Sequence, residues 1–180
     1  MMAGIALETA LRAFASRDGH ETEGGIVMRK VFAAACVLAV LLAVPAAADP
    51  WTKYENDRFG YSVEYPDIFS EMKEPENGDG VWLSSKDGRY ALTLSGGYNV
   101  LEEDGEAMLA SRLEDVSHVL SKEAAPDGYR LVYGDGKERL FFECAVVNEE
   151  AWTSFVLSCP KEEQERFASV AERMEKSLGF

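Results

Sequence analysis

Apolar residues dominate two arms, Leu140–Val147 and Ala151–Cys159, separated by Asn148-Glu149-Glu150. Both arms are rich in aromatic and β-branched residues, which suit a pleated, packed surface, so the stretch predicts a long β-hairpin. A two-residue loop at Glu149-Glu150 pairs Val147 with Trp152, Cys144 with Phe155 and Phe142 with Leu157. Successive side chains of a strand point to opposite faces. Leu140, Phe142, Cys144, Val146, Phe155, Leu157 and Cys159 therefore share one apolar face, the expected floor of the core.

Phe59-Gly60-Tyr61-Ser62-Val63-Glu64-Tyr65 alternates cleanly, with aromatics and Val at odd positions, and predicts a strand with one wet face, ended by Pro66. The lead-in Asp49–Asp57 reads as irregular, Asp67–Phe69 as a turn and Glu71–Gly80 as an exposed acidic loop. Val81–Ser85 and Tyr90–Ser95 flank Asp87-Gly88, a strong hairpin signal. That turn pairs Leu83 with Leu92 and Val81 with Leu94, and it sends Trp82 to the other face, opposite Thr93. Helical spacing appears twice. Asp104 suits the N-cap of a helix running to about His118, with Leu109, Leu113, Val116 and Leu120 on one side. Pro160 suits the first turn of a closing helix. Phe167, Val170, Ala171, Met174 and Leu178 form its buried stripe, and Gly179 stops it. Tyr129–Tyr133 is a further strand. With Asp135-Gly136 as a two-residue loop, Leu131 faces Leu140 and Tyr129 faces Phe142, which puts both on the core face. The sum is an α+β domain, an antiparallel sheet flanked by helices.

Ahead of this domain, Met28-Arg29-Lys30 leads into the apolar run Val31–Val44 and then Pro45-Ala46-Ala47-Ala48. These are the three regions of a secretory signal peptide, with cleavage after Ala48. The run is shorter than the about 20 apolar residues of a spanning helix, so no stable membrane insertion is expected after cleavage. Because such a peptide should open a chain, residues 1–27 read as a mis-called extension ahead of a start at Met28. Cys36 lies inside the apolar run rather than after it, which does not suit lipidation. The expected organisation is residues 1–27 extension, 28–48 signal peptide and 49–180 one globular domain, periplasmic or secreted.

Charge and cysteines narrow the picture. The formal net charge is −14. Residues 1–48 balance Arg12, Arg17, Arg29 and Lys30 against Glu8, Asp18, Glu21 and Glu23, so the whole excess lies in the domain. Such a surface repels phosphate backbones, and a nucleic-acid partner is not expected. Cys144 and Cys159 remain after cleavage and are the candidate disulfide of an oxidising compartment. The hairpin register opposes the bridge. It sets Cys159 opposite position 140, about 13 Å along the strand from Cys144, whereas bridged Cα atoms lie roughly 4.4–6.8 Å apart. A larger loop or a bend near Pro160 is needed to join them.

The aromatic strand Phe59–Tyr65 ending in Pro66, the strand pairs, the mid-chain helix and the last strand running through Pro160 into a helix come in a recognisable order. That order resembles the PsbP/Mog1-like domain family of bacterial envelope proteins, over most of residues 52–180. The resemblance implies an α/β/α sandwich with an antiparallel sheet and a generally non-catalytic role. The family includes a photosystem II extrinsic subunit and a nuclear Ran-binding protein. No motif here carries over a functional residue of either, so the resemblance bears on fold rather than function.

Catalytic and metal patterns are sparse. His118 is the single histidine of the domain, in the expected last turn of a helix, and one histidine does not make the usual zinc set. Leu94-Ser95-Gly96-Gly97 lacks the leading glycine of a hydrolase elbow. Gly134-Asp135-Gly136-Lys137 lacks the spacing of a phosphate loop and reads as a hairpin turn. Cys144 faces an apolar layer, which opposes thiolate formation. Glu74-Pro75-Glu76-Asn77-Gly78-Asp79-Gly80 offers oxygen ligands for calcium without the EF-hand spacing. No cofactor is expected. Trp82 and Trp152 both lie opposite the main apolar face. Helices on both sides of the sheet bury them as second-layer core, which is the expectation; left exposed, either is a candidate partner anchor. The functional expectation is an exported, non-enzymatic envelope domain, a protein-binding or accessory module with an unidentified envelope partner. Two alternatives are a small carboxylate-dependent hydrolase, which needs acids with perturbed pKa values in one pocket, and a structural or stress-related protein without a specific ligand.

Overall fold

A computed structural model describes residues 50–180. The proposed extension and signal peptide lie outside the described residues. Strands β1 (Trp51–Asn56) and β2 (Tyr61–Pro66) form a small antiparallel sheet. The other seven strands are β3 (Phe69–Lys73), β4 (Gly80–Ser85), β5 (Ala91–Tyr98), β6 (Val119–Ala125), β7 (Gly128–Gly134), β8 (Arg139–Val147) and β9 (Ala151–Pro160). They make one antiparallel sheet in the order β3-β4-β5-β9-β8-β7-β6. Helix α1 (Gly105–Asp115) joins β5 to β6, and helix α2 (Gln164–Ser177) follows β9 through a 3-10 turn at Lys161–Glu163.

The central hairpin has the register read from its sequence. Val147 opposes Trp152, Cys144 opposes Phe155 and Phe142 opposes Leu157. Asn148 closes the turn, its side-chain oxygen accepting from the Glu150 and Ala151 amides at 2.9 and 2.8 Å. The β4–β5 hairpin likewise pairs Leu83 with Leu92 and Val81 with Leu94. Gly88 takes the left-handed φ of +71° that its turn requires. Leu140, Phe142, Cys144, Phe155, Leu157 and Cys159 form the floor of the main core, with Val146 at its margin. Phe167 and Met174 of α2 are fully buried against that floor. Strand β2 closes the same core from the side. Its Ser62 exchanges backbone hydrogen bonds with Gly179, at 2.9 and 3.2 Å.

Five readings need correction. Strands β1, β3 and β6 were expected as a lead-in, a turn and part of a loop or helix. Each is an edge strand or pairs on one side only, and β6 is exposed at every residue. β6, wet on both faces, has no alternation to display, whereas β1 and β3 each bury only a few residues, Trp51 and Tyr54 at the margin of the main core and Phe69 within it, too few to leave a period. Helix α1 ends earlier than expected. Val116 is already extended and His118 has a φ of +55°, so Leu120 falls in β6, 58% exposed.

The fifth correction is a register. The β7–β8 loop is not the two residues Asp135-Gly136. Gly134 opposes Leu140 with five residues between them, and the Asp135 carboxylate holds that loop by accepting from the Lys137 and Arg139 amides. Leu131 therefore opposes Glu143 and Tyr129 opposes Ala145. The shift is an odd number of residues, so it reverses faces. Leu131 and Tyr129 leave the main core and build a second one with Tyr133, Ala145 and Leu109 under α1.

Cys144 and Cys159 are both buried free thiols. Burial pushes Cys144 up to about 12 and Cys159 up to about 11. A thiol so far from ionisation is a poor nucleophile. Neither is expected to react with Ellman's reagent in the folded protein at mildly alkaline pH, and both are expected to react once guanidinium unfolds it. Rapid native labelling, or no free thiol after unfolding, contradicts this arrangement.

Candidate functional site

The two faces of the large sheet are covered unequally. Helix α2 and the small sheet cover one face. On the other, α1 has only 11 residues, a rod about 16 Å long. Seven strands spaced about 4.8 Å apart are wider than such a rod can cover. α1 packs on β6, β7 and β8. Toward β9, β5 and β4 the same face opens to solvent: Trp152, Ser154, Val156, Ser95 and Thr93 are half-buried and Trp82 is exposed.

One cross-strand row shows the transition. Lys73, Trp82, Thr93, Val156, Glu143 and Leu131 are successive partners from β3 to β7. At the open end, Trp82 is 48% exposed, with the Lys73 ammonium 5.8 Å from its ring centre. At the covered end Leu131 is fully buried. Trp82 is thus no second-layer core residue. Trp152 lies on the same face and is half-buried, and its indole rests against Gly97 across the strand pair. A Cβ on Gly97 would sit 3.0 Å from the indole nitrogen. Glycine at this position makes the slot in which the ring lies flat.

Between α1 and the open strands runs a groove of about 460 Å³. Trp152, Val156 and Ser154 form its floor, Met108 and Arg112 of α1 one wall, and Val100 and Leu101 its rim. Glu143, at the inner end, is a charged side chain buried in the sheet. The Arg112 Nε donates to both of its carboxylate oxygens, at 2.9 and 3.1 Å, and the Tyr129 hydroxyl donates to Oε1 at 2.7 Å. Arg112 reaches on to the Tyr133 hydroxyl at 3.0 Å. Burial disfavours charge on the Arg112 guanidinium, but hydrogen bonding and attraction to Glu143 outweigh it, and its pKa is raised. Burial, then the charge and hydrogen bond of Glu143, raise the pKa of Tyr129, so this phenol stays protonated and donates. The network fixes α1 on the sheet and leaves Glu143 engaged on both oxygens.

The rim is a shaped loop. Asn99 ties both ends: its side-chain nitrogen donates to the Glu103 and Asn148 carbonyls, both at 2.9 Å, and its side-chain oxygen accepts from the Glu103 amide at 3.0 Å. Glu102 has a φ of +52°, a left-handed conformation costly for a side-chain-bearing residue. Helix α1 then starts under its N-cap, Asp104, whose carboxylate accepts from the Ala107 amide at 2.8 Å. Between these fixed points Val100 and Leu101 stand 81% and 75% exposed. No element or motif is predicted for residues 100–103, between the β5 strand and the Asp104 cap. Two adjacent apolar residues between Asn99 and a run of acids were the signal available.

The remaining candidates do not join this site. His118 lies in the bend beyond α1, its ring beside Gly136 and its Nδ1 3.0 Å from the Ser117 hydroxyl. The acidic loop uses Asn77 and Asp79 in a bond to each other at 2.6 Å. Among the described residues, no group of three or more His, Cys, Asp or Glu side chains could hold a metal ion.

No protein-family model matches the chain, and no curated protein matches it. Its likeness is in three dimensions. The solution structure of cyanobacterial PsbP (CyanoP) from Synechocystis sp. PCC 6803 matches 75% of this chain and 95% of that one, with a TM-score of 0.54 and 14% sequence identity. The chain has the PsbP-like α+β fold expected from its strand order. At that identity the likeness is one of fold.

Proposed function

We propose that this chain is an exported, non-enzymatic accessory module that docks a protein partner on the open half of its sheet. The observation that carries the reading is the pairing of an uncovered sheet face with a pinned loop presenting Val100 and Leu101 to solvent. Apolar residues held out by a fixed loop, next to half-buried and exposed tryptophans, are the usual makings of a protein interface. Export rests on the basic, apolar and small-residue order of residues 28–48, with the mature chain starting at Asp49. Among the described residues, no helix is long and apolar enough to cross a membrane. The PsbP-like fold agrees with an accessory role.

A carboxylate-dependent hydrolase needs an acid free to move a proton within its pocket. The acid buried in this groove is Glu143, and both its oxygens are engaged by Arg112 and Tyr129. The groove therefore supports docking better than acid–base chemistry.

Site-specific photo-cross-linking in cells tests the reading. A cross-linker at Trp82 or Val100 is expected to give the same discrete protein adduct from the envelope fraction. A cross-linker at Glu172, exposed on α2 behind the sheet, is expected to give none. Equal adducts from all three positions, or none from any, reject the docking face and favour a structural protein without a specific ligand.

A further inference from the structure

The groove does not end at its rim. It adjoins a second hollow of about 770 Å³, and Asn99 and Glu103 line both. Six carboxylates line this hollow: Glu102, Glu103, Asp104, Asp127, Glu149 and Glu150. They come from three separate segments, the β5–α1 loop, the β6–β7 turn and the β8–β9 turn, which the sheet gathers at one end. No lysine or arginine lines the hollow. Asp104 is spent on the α1 cap. Among the described residues, none of the six lies in an ion pair. The neighbouring groove has one guanidinium, Arg112, already neutralised by Glu143.

We infer that the occupant of this surface is an extended basic segment of a partner protein. Its apolar anchor lies on Trp152 and Val156, and adjacent lysines or arginines enter the acidic hollow. The inference rests on the docking reading above and adds the chemistry of the partner. Charge complementarity selects this occupant from the others that an apolar groove admits. A second copy of this chain would bring the same carboxylates against themselves. Nucleic acid and anionic lipid are repelled by a chain of net charge −14. A basic segment gains from both parts: the groove supplies apolar contact, and the hollow supplies attraction and faster encounter. The six acids repel one another in the free protein, and a cationic side chain relieves that repulsion on binding.

A displayed library of random dodecapeptides, panned against the full chain, tests the inference. Three targets are compared: the native protein, a Trp152→Ala variant, and an E102Q/E149Q/E150Q variant of the exposed rim acids. Peptides enriched on the native protein are expected to carry net positive charge beside an aromatic or aliphatic residue. Their affinity is expected to fall more than tenfold on each variant and to weaken as salt is raised. Neutral or acidic winners, or no enrichment, overturn the inference. So do basic winners that bind the triple-glutamine variant undiminished. If cross-linking at Trp82 and Val100 still captures a discrete partner in those cases, the docking face stands and only the basic character of its occupant fails.

Discussion

Phe167→Ala is expected to lower the free energy of unfolding by about 3–5 kcal/mol, the usual cost of removing a buried aromatic ring without refilling its cavity. Phe167 is fully buried, and its ring centre lies 4.7 Å from that of Tyr90. Tyr90 is held in turn by a hydrogen bond from its hydroxyl to Glu163 at 2.6 Å, just before α2. One ring thus seats the helix on the β5–β9 part of the sheet. Collapse into the cavity is restricted, because Leu92, Leu157 and Met174 around it are fully buried and already packed. A domain of ordinary stability has about 5–15 kcal/mol in total, so the variant stands near the edge of folding. Urea denaturation reads the change as a lower midpoint with an unaltered slope. Phe180→Ala removes the same ring where it is 50% exposed, and there the cost is expected within about 0.5 kcal/mol. Similar losses from the two variants show that α2 does not close the core.

The contrast marks what the sequence could reveal. Its clearest signals came from residues that burial forces into a pattern: the two hairpins with short turns, the α2 stripe and the Asp104 cap. Each needs only local chemistry: both hairpins have the expected registers, Asp104 caps α1, and Phe167 and Met174 are buried on α2, although Leu178 lies just past the end of that helix as its extended C-cap. Edge strands escaped because they bury too little to leave a period. The β7–β8 register escaped for a subtler reason. Asp135-Gly136 reads as a two-residue loop, yet Asp135 instead caps a longer one through two backbone amides. Leu131 and Tyr129 are apolar enough to suit either face. Their expected place on the main core face was therefore a coincidence of composition. A sheet with two cores places apolar residues on both faces, and then alternation no longer distinguishes inside from outside.

The open half of the sheet was illegible for a related reason. Nothing in a strand tells how far a helix from elsewhere in the chain will reach across it. Trp82 and Thr93 would read the same beneath a longer α1. Trp82 is exposed and Thr93 half-buried because α1 packs on β6, β7 and β8, at the other side of the sheet. Glu143 was visible throughout as an acid within Phe-Phe-Glu-Cys-Ala, on the face away from the main core. Its partner became identifiable only when α1 was placed, since Arg112 lies far from it in sequence.

That partnership sets the second large effect. Arg112→Met is expected to cost about 3 kcal/mol, because removing one partner leaves the other as an uncompensated buried charge. The side chain of Glu143 is 3% exposed and would retain only the Tyr129 hydroxyl. Arg112 is itself 29% exposed, so some of its attraction is screened by water, which sets the expectation at the lower end of the range for buried pairs. Adding Glu143→Gln to Arg112→Met removes the stranded charge while keeping an acceptor for Tyr129. The double variant is expected to recover at least about 1 kcal/mol, a coupling that independent sites would not show. Urea melts of the native protein, both single variants and the double variant supply the cycle. Additive losses mean that Arg112 acts through its packing on Tyr133 and not through Glu143. Coupled losses place the α1 wall of the groove under the control of this ion pair. Val156, the cross-strand neighbour of Glu143, lies on the groove floor, so loosening α1 alters the surface a partner meets.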